Sequence, residues 1–171
     1  PLMANTLHAS PITIDSKDAA GNKIEALIWQ TDDRVTLIES ANLTGLAMLP
    51  EKQHNPLAVN SAGLGLALQS DATQTSSHCF IGIGGSATND GGFGMARALG
   101  WVFRDESGKP IEQWTRLDGL ALIESPASRA WPSVTVASDV QNPLLGVDGA
   151  TWGYGSQKGI RPEEFAKTDA C

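Results

Sequence analysis

The chain has 171 residues, of which 41% are hydrophobic and 18% charged, with a net charge of −7 and a pI near 4.8. This composition is that of one globular domain and not that of a disordered segment. The acidic charge argues against broad binding to nucleic acid or to an anionic membrane, although a local group of backbone N–H donors can still hold an anion.

Cysteine and histidine usage argues against disulfides and structural metals. Cys79 falls in an apolar segment that predicts a buried strand, and Cys171 is the last residue, so both thiols are expected to be reduced. The three histidines are scattered and lack zinc-site spacing. No run of apolar residues approaches the length of about 18 that is typical of a membrane-spanning helix. The first ten residues do not have the pattern of a signal peptide. These features predict a cytoplasmic protein.

The first half of the chain predicts three strands, a helix, a loop and a second helix. Residues 11–14 and 24–29 flank a Gly-Asn turn signal and are expected to form a hairpin, with a third strand at 34–40. Residues 41–50 predict a short helix closed by a proline, and residues 51–59 a loop. Residues 61–73 have one apolar face and predict a helix that two glycines weaken.

The second half continues the alternation of strands and helices. Residues 78–83 are apolar throughout, which is typical of a strand covered on both faces. A glycine-rich turn follows, and the later predicted elements are a helix at about 92–99, strands at 101–105 and 133–140, an ambiguous segment at 117–124, a polar loop at 141–159 and a helix beginning at 161–164. This order predicts a single α/β domain with a mixed β-sheet and flanking helices.

The glycine-rich turn is the first candidate ligand site. It reads GIGGSATNDGG and matches neither the P-loop, since no Gly-Lys-Ser/Thr ending is present, nor the dinucleotide fingerprint, since Ala87 stands where a glycine is required. Glycines at a strand end let the backbone approach a ligand closely, and Ser86, Thr88 and Asn89 would add donors. The alternative is an ordinary turn whose polar residues cap the helix, but the excess of glycines favours a ligand cradle.

Polar residues also end two other predicted strands. Asp139 ends the strand at 133–140, and the glycine-rich segment after it ends in Gln157 and Lys158. A carboxylate at the carboxyl end of a strand is where α/β folds bind ligands, and a lysine can hold a phosphate as a point charge. The alternatives are a turn cap for Asp139 and a surface role for Lys158. Asp90 likewise fits either a helix cap or a group that holds a metal ion and a substrate hydroxyl.

The third polar strand end is Glu39-Ser40. Glu39 taken singly is better interpreted as an ion-pair partner than as a catalyst. If the three strands are neighbours in one sheet, however, we expect the tips at Glu39-Ser40, Ser86–Asp90 and Asp139–Asn142 to lie on one edge of the sheet and to open into one crevice.

Three long segments carry a family resemblance: IESANLTGLAMLPEKQHNPL, IGIGGSATNDGGFGMARALGW and ASDVQNPLLGVDGATWGYGSQKGIRPEE. Together they resemble the glycerate kinase type 1 family over most of the chain, with GGSATNDGG, D-V-x-N-P-L-L-G and G-x-Q-K-G as the specific motifs. Trp152 and Tyr154 depart from the residues usual in that family. The resemblance implies two α/β domains with a cleft between them, and transfer of the γ-phosphate of ATP to D-glycerate with Mg²⁺.

The resemblance also implies roles for residues of this sequence. Asp90 and Asp139 are the expected catalytic residues. The expected substrate- and phosphate-binding residues are Gly84, Gly85, Ser86, Ala87, Thr88, Asn89, Glu39, Ser40, Asn142, Gln157 and Lys158. The implied partners are D-glycerate and ATP, with no nucleic acid and no membrane, and a homo-oligomer is left open.

Family members are more than twice as long as this chain. They begin with segments containing D-S-F-K-G and D-G-G-E-G-T and end with one containing T-G-E-G, and these motifs do not occur here. Pro1-Leu2 matches the interior of a family stretch, T-G-P-L-G. The resemblance therefore implies an internal fragment that holds most of one domain and is inactive by itself.

Overall fold

A five-stranded mixed β-sheet organises the chain. The structure is a computed structural model that describes residues 2–127 and 131–171. The strands are β1 (Ser10–Lys17), β2 (Lys23–Gln30), β3 (Val35–Glu39), β4 (His78–Gly82), β5 (Val102–Asp105), β6 (Leu120–Glu124) and β7 (Ser133–Ala137). The main sheet has the order β1-β2-β3-β4-β7, and β5 and β6 form a separate two-stranded sheet.

The pairing directions confirm the predicted mixed sheet. β1 and β2 form the predicted antiparallel hairpin, in register from Ser10 opposite Gln30 to Lys17 opposite Lys23. β2 and β3 are also antiparallel, whereas β3, β4 and β7 run parallel to one another. The ambiguous segment at 117–124 contains β6, which pairs antiparallel with β5.

In the part of the chain that the structure describes, seven short α-helices accompany the sheet. They are α1 (Leu2–Thr6), α2 (Ala41–Thr44), α3 (Ala62–Gln69), α4 (Asp71–Gln74), α5 (Phe93–Ala98), α6 (Ala150–Lys158) and α7 (Phe165–Asp169). No helix in the described part of the chain is long and apolar enough to cross a membrane. The helix expected to begin at 161–164 is present, with a 3₁₀ turn at Pro162–Glu164 leading into α7.

Two predicted helices are each interrupted by one extended residue. The helix expected at 61–73 is two helices, because Ser70 is extended (φ −60°, ψ 147°) and its hydroxyl caps α4 by accepting from the Thr73 N–H. The helix expected at 41–50 stops at Gly45, which is extended, and resumes as a 3₁₀ turn at Leu46–Met48. A further 3₁₀ turn, Glu51–Gln53, lies in the segment predicted to be a loop.

The prediction of a polar loop over 141–159 is wrong for its second half, which forms α6. The glycines that suggested a loop serve other purposes. Gly159 ends the helix in the left-handed conformation, with φ 101°, which is the usual role of a C-terminal glycine. Gly155 lets Ile160 and Phe165 pack against the helix, since a Cβ there would lie 3.3 Å from both side chains.

The main core lies between the sheet and α3. It contains Ile14, Ala26, Ile28, Ile38, Leu43, Leu64, Ala67, Leu68, Cys79 and Ile81, with Met95 of α5 packed against it. β4 alternates between buried and partly buried residues, so it is less completely covered than its apolar sequence predicted. A separate cluster, formed by Phe93, Ile111 and Trp114, packs the first residue of α5 against the segment that follows β5.

Candidate active site

The three predicted strand tips lie together. β3, β4 and β7 are adjacent and parallel, and their last residues are register partners: Glu39 pairs with Gly82, and Gly82 pairs with Ala137. The Ser40 N–H donates to the Gly82 carbonyl oxygen at 2.9 Å, which extends the pairing beyond β3. The carboxyl ends of the three strands therefore share one edge of the sheet, as the sequence predicted.

A tip cleft and an inner cleft, both formed by described residues, open at this edge. The tip cleft has a volume of about 340 Å³ and is lined by Leu46, Ile83, Gly84, Gly85, Ser86, Ser138, Asp139, Val140, Tyr154, Gln157 and Lys158. It brings together residues from the ends of β4 and β7 and the end of α6. Six of the predicted site residues line it, namely Gly84, Gly85, Ser86, Asp139, Gln157 and Lys158.

The inner cleft lies over the face of β4 and β7 and has a volume of about 420 Å³. Its polar wall is formed by Ser40, Thr44, Ser61, Ser86, Thr88, Asn89, Asp90 and Lys158. Its apolar wall includes Leu64, Leu68, Ile81, Met95, Val134, Val136 and Leu144. Ile83, Ser86 and Lys158 line both clefts, so the two spaces meet at the lysine.

Lys158 places an ammonium group at this junction. It is the last residue of α6, and its ammonium donates to the Thr88 carbonyl oxygen and lies 3.5 Å from Ser86 Oγ. Burial lowers the pKa of Lys158, and the negative charge of Asp90 partly opposes this shift. A partly desolvated ammonium with few protein partners is well suited to bind an anionic group.

Asp90 makes the contacts of a structural cap. Its Oδ2 accepts from the Ser61 N–H at 2.9 Å, from Ser61 Oγ at 2.8 Å and from the Gly94 N–H at 2.9 Å, and its Oδ1 accepts from the Gly92 N–H at 3.3 Å. The carboxylate therefore joins the start of α3 to the start of α5. Of the two alternatives for this residue, these contacts favour the cap.

The glycine-rich turn is open at one end and packed at the other. Gly84 is exposed, and a Cβ built on it would have no atom within 4 Å. Gly85 has φ +70°, and its carbonyl oxygen accepts from the Leu46 N–H at 3.0 Å. Ala87 is buried and its N–H donates to the Thr44 carbonyl oxygen at 2.8 Å. Ala87 was an expected phosphate-binding residue, but its N–H is not free for a ligand, because the turn uses it to dock on α2.

Two buried polar atoms of the turn region have no hydrogen-bond partner among the described residues. They are Ser40 Oγ and Asn89 Oδ1, and both residues line the inner cleft. Asn89 Nδ2 donates to Thr151 Oγ1 at 3.0 Å, which ties the turn to the first residues of α6. Ser40 and Asn89 thus have polar capacity that the protein's own described groups do not use.

Asn142 and Glu39 line neither cleft. Asn142 Nδ2 donates to the Asp148 carbonyl oxygen at 2.9 Å, and its Oδ1 accepts from the Tyr154 hydroxyl at 2.6 Å. Asn142 therefore braces the segment before α6, and Tyr154 is its partner there. Asp139 is exposed and lines the tip cleft with Ser138.

Several hydroxyl-bearing cleft residues were not among the predicted site residues, including Thr44, Ser61 and Ser138. Ser61 is the most consequential, because it holds Asp90 and its Oγ also accepts from the Met95 N–H at 3.0 Å. A serine before a predicted helix reads as an ordinary cap. Ser61 and Asp90 are 29 residues apart in the sequence, so no local pattern predicts their hydrogen bond.

Comparison with known proteins identifies the family. The model of the glycerate kinase family matches residues 2–171, which is nearly the whole chain. The chain belongs to the glycerate kinase family. It is 40% identical to a glycerate kinase from Halalkalibacterium halodurans over 87% of this chain and 40% of the relative. It is 36% identical to glycerate 2-kinase from Escherichia coli, again over 87% of this chain and 40% of the relative.

A solved structure agrees with the family. The crystal structure of a protein described as glycerate kinase 2 from Salmonella typhimurium LT2 superposes with a TM-score of 0.87 at 36% identity. The match covers 98% of this chain and 46% of that chain. The glycerate kinase family therefore has the mixed α/β architecture seen here, and this chain spans less than half the length of the relatives that it matches.

Proposed function

We propose that this chain supplies the phosphate- and substrate-binding domain, one of two α/β domains, of a glycerate kinase that transfers a phosphoryl group from ATP to D-glycerate. The observation that carries the proposal is the convergence of three parallel strand tips on Lys158, in a chain of the glycerate kinase family. The names of the relatives from H. halodurans and E. coli supply the substrate class.

Lys158 is the proposed anion-binding group. Phosphoryl transfer depends mainly on positioning and on stabilisation of negative charge. The ammonium lies where both clefts meet, beside Ser86 and close to the open Gly84-Gly85 backbone. A phosphate or the glycerate carboxylate bound there would gain a charge-assisted hydrogen bond in a partly desolvated site. Gln157 is placed to add a side-chain amide from the same helix end.

Asp139 is the proposed carboxylate of the reaction. The described residues contain no group of three or more His, Cys, Asp or Glu side chains that could hold a metal by themselves. Mg²⁺ fits this donor set, because it is usually held by one or two carboxylates together with water and substrate phosphates. Asp139 would hold the ion or orient the glycerate hydroxyl, and bound Mg²⁺ would neutralise phosphate charge.

Asp90 has an indirect role in this proposal. Its carboxylate is occupied by Ser61, Gly92 and Gly94, and its charge favours the protonated form of Lys158. It is therefore a positioning residue. Ser40, Thr88 and Asn89 would contact a ligand in the inner cleft, whereas Ala87, Glu39 and Asn142 shape the surrounding backbone.

The isolated chain fits a second description, an anion-binding module without turnover. Both clefts are open, and β7 is exposed along its whole length. Phosphoryl transfer needs two reactants held in line with water excluded. We expect the 171-residue chain to bind D-glycerate or ATP weakly and to show no measurable kinase activity. The proposed location of the whole enzyme is the cytoplasm.

A chimera tests the kinase proposal. The corresponding segment of E. coli glycerate 2-kinase is replaced by residues 1–171 of this chain, and activity is measured with D-glycerate, ATP and Mg²⁺. We expect kinase activity, with 2-phosphoglycerate as the product in ³¹P NMR, as the name of that relative suggests. Lys158→Met should lower kcat/KM by at least about tenfold.

The matched control is Lys52→Met, which removes an exposed lysine that lines neither cleft. It should leave kcat/KM unchanged. A folded chimera without activity, or equal activity in the Lys158→Met and Lys52→Met variants, would overturn the proposed function.

A further inference from the structure

Thr151 is a buried threonine near the start of α6, and it lines neither the tip cleft nor the inner cleft. Only 3% of its surface is exposed, and its hydroxyl oxygen accepts from Asn89 Nδ2 of the glycine-rich turn at 3.0 Å. A hydrogen bond between side chains in such a position fixes the elements that carry them relative to each other. Thr151 therefore docks α6 on the turn.

The same face of α6 carries Lys158. Thr151 and Lys158 are separated by close to two full turns of the helix, at 3.6 residues per turn, so both side chains leave α6 on the same side. Their two contacts reach adjacent residues of the turn. Asn89 Nδ2 donates to Thr151, and the Lys158 ammonium donates to the Thr88 carbonyl oxygen. The helix is thus joined to the turn near both of its ends.

The other contacts of α6 hold it to different segments. Tyr154 donates its hydroxyl to Asn142 in the segment before the helix, and the ring of Trp152 packs against the start of α7. The hydrogen bonds that the described residues make between α6 and the turn come from Thr151 and Lys158. The Thr151 contact therefore sets the distance between the helix that carries the lysine and the turn that lines the clefts.

A lysine does not fix its own ammonium in place. Its four-carbon stem is flexible, and the ammonium is a point charge without the rigid geometry of a guanidinium. A hydrogen bond to the Thr88 carbonyl oxygen alone would let the helix shift and the stem follow it. Reactions that depend on positioning are sensitive to such shifts, because a displacement of about 1 Å can cost roughly a hundredfold in rate. Anion binding at Lys158 therefore depends on how firmly α6 is docked.

We propose that Thr151 is a positioning residue of the candidate active site. Through Asn89 it holds α6 against the glycine-rich turn, and it thereby fixes the Lys158 ammonium where the two clefts meet. The inference rests on the proposed function, in which Lys158 binds the anionic group. Thr151 itself lines neither cleft, so it acts through the lysine and does not contact the reactants.

The chimera described above tests this role with Thr151→Val, which keeps the branched shape and removes the hydroxyl. We expect kcat/KM to fall at least about fivefold, whereas Thr151→Ser, which keeps the hydroxyl, should stay within about twofold of the unsubstituted chimera. The matched control is Thr168→Val, the same change at a 5% exposed threonine whose hydroxyl has no partner among the described residues. This control should leave kcat/KM unchanged.

A double-mutant cycle separates positioning from a general loss of structure. If Thr151 acts through Lys158, Thr151→Val should change kcat/KM by less than about twofold in a chimera that already carries Lys158→Met. A residue that only stabilises the fold would lower activity in both backgrounds. Equal losses in the two backgrounds, or no loss when Lys158 is present, would overturn the inference.

NMR of the isolated chain gives a readout that does not depend on activity. The Lys158 ammonium lies 3.5 Å from Ser86 Oγ, so an NOE is expected between the Lys158 ε-methylene and the Ser86 β-protons. This NOE should be present in wild type, Thr151→Ser and Thr168→Val, and lost in Thr151→Val while the NOEs of the main core stay unchanged. Its survival in Thr151→Val would contradict the positioning role. An inactive chimera together with loss of the NOE would support that role and count against the proposed function alone.

Discussion

The Lys158 side chain is fixed by a hydrogen bond to the protein and is still accessible to a ligand. Its ammonium has a carbonyl partner in Thr88, yet it lies at the junction of two open clefts. The sequence offered a phosphate-binding role and a surface role as alternatives. The structure places the lysine in a partly buried position, where its charge is costly unless a counter-charge arrives.

The lowered pKa of Lys158 predicts a pH dependence of stability. The pKa is depressed mainly by burial, with Asp90 opposing the shift, so between the folded and unfolded pKa values the unfolded chain binds more protons. Stability contributed by this group therefore rises with pH through that window, up to the unfolded value of about 10.4. In urea unfolding at pH 7, 9 and 10, wild type should gain stability relative to Lys158→Met as the pH rises. A constant difference would show that the lysine is not desolvated.

The two aspartates are predicted to behave differently when replaced by asparagine. Asp90→Asn puts an NH₂ group among the donors of Ser61, Gly92 and Gly94, and should cost about 2–3 kcal/mol in the free energy of unfolding. Asp139 is exposed, so Asp139→Asn should change stability by less than about 0.5 kcal/mol. Both should lower kcat/KM of the chimera by at least about tenfold.

Stability and activity measured together separate these roles. Asp118→Asn, at an exposed position outside both clefts, is the control and should affect neither quantity. Full activity of the Asp139→Asn chimera would show that Asp139 is a turn cap and takes no part in the reaction.

At the scale of elements, the glycines of α3 explain a helix that sequence reasoning regarded as weak. A Cβ at Gly63 would lie 2.0 Å from the Lys17 carbonyl oxygen, and one at Gly65 would lie 2.6 Å from the Met95 carbonyl oxygen. These residues let the helix approach β1 and α5 closely. The intrinsic cost of glycine in a helix is about 1 kcal/mol and is offset by this packing.

Gly65→Ala is therefore predicted to destabilise the fold. The gain in helix propensity is smaller than the cost of pushing α3 away from α5, and the net loss should be about 1–3 kcal/mol. Gly119→Ala is the control, because a Cβ there would have no atom within 4 Å and the φ angle is not positive. Chemical denaturation of the three proteins checks this, and equal or higher stability of Gly65→Ala would contradict the close packing.

The strands were more predictable than the helices. The hairpin and the parallel strands follow from local apolar patterns and turn residues, and the shared strand edge follows from parallel pairing. The break at Ser70 and the helix α6 were not predicted. Ser70 lies inside a pattern typical of one continuous helix, and the glycines of α6 are typical of a loop, so the local sequence pointed away from the structure that forms. The contact between Ser61 and Asp90 joins distant segments, so no local pattern could reveal it.

At the scale of the whole molecule, the coverage of the sheet differs between its two edges. β1 pairs with β2 along eight residues, and Ser16 of β1 donates its hydroxyl to the Gly63 carbonyl oxygen of α3 at 3.0 Å. β7 pairs with β4 along five residues, and all five side chains are exposed. β7 lies beside the candidate site, and its side chains are therefore less protected from solvent than those of β1 at the opposite edge.

Hydrogen exchange of the isolated chain should reveal this asymmetry. Local opening is easiest where few apolar contacts and many solvent-exposed backbone bonds are found, so β7 amides should exchange at least about tenfold faster than those of β4. β1 is the internal control, because it is also an edge strand but is covered by α3, and its bonded amides should exchange nearly as slowly as those of β4. Protection of β7 equal to that of β4 would mean that β7 is already stabilised within this chain despite the exposure of its side chains.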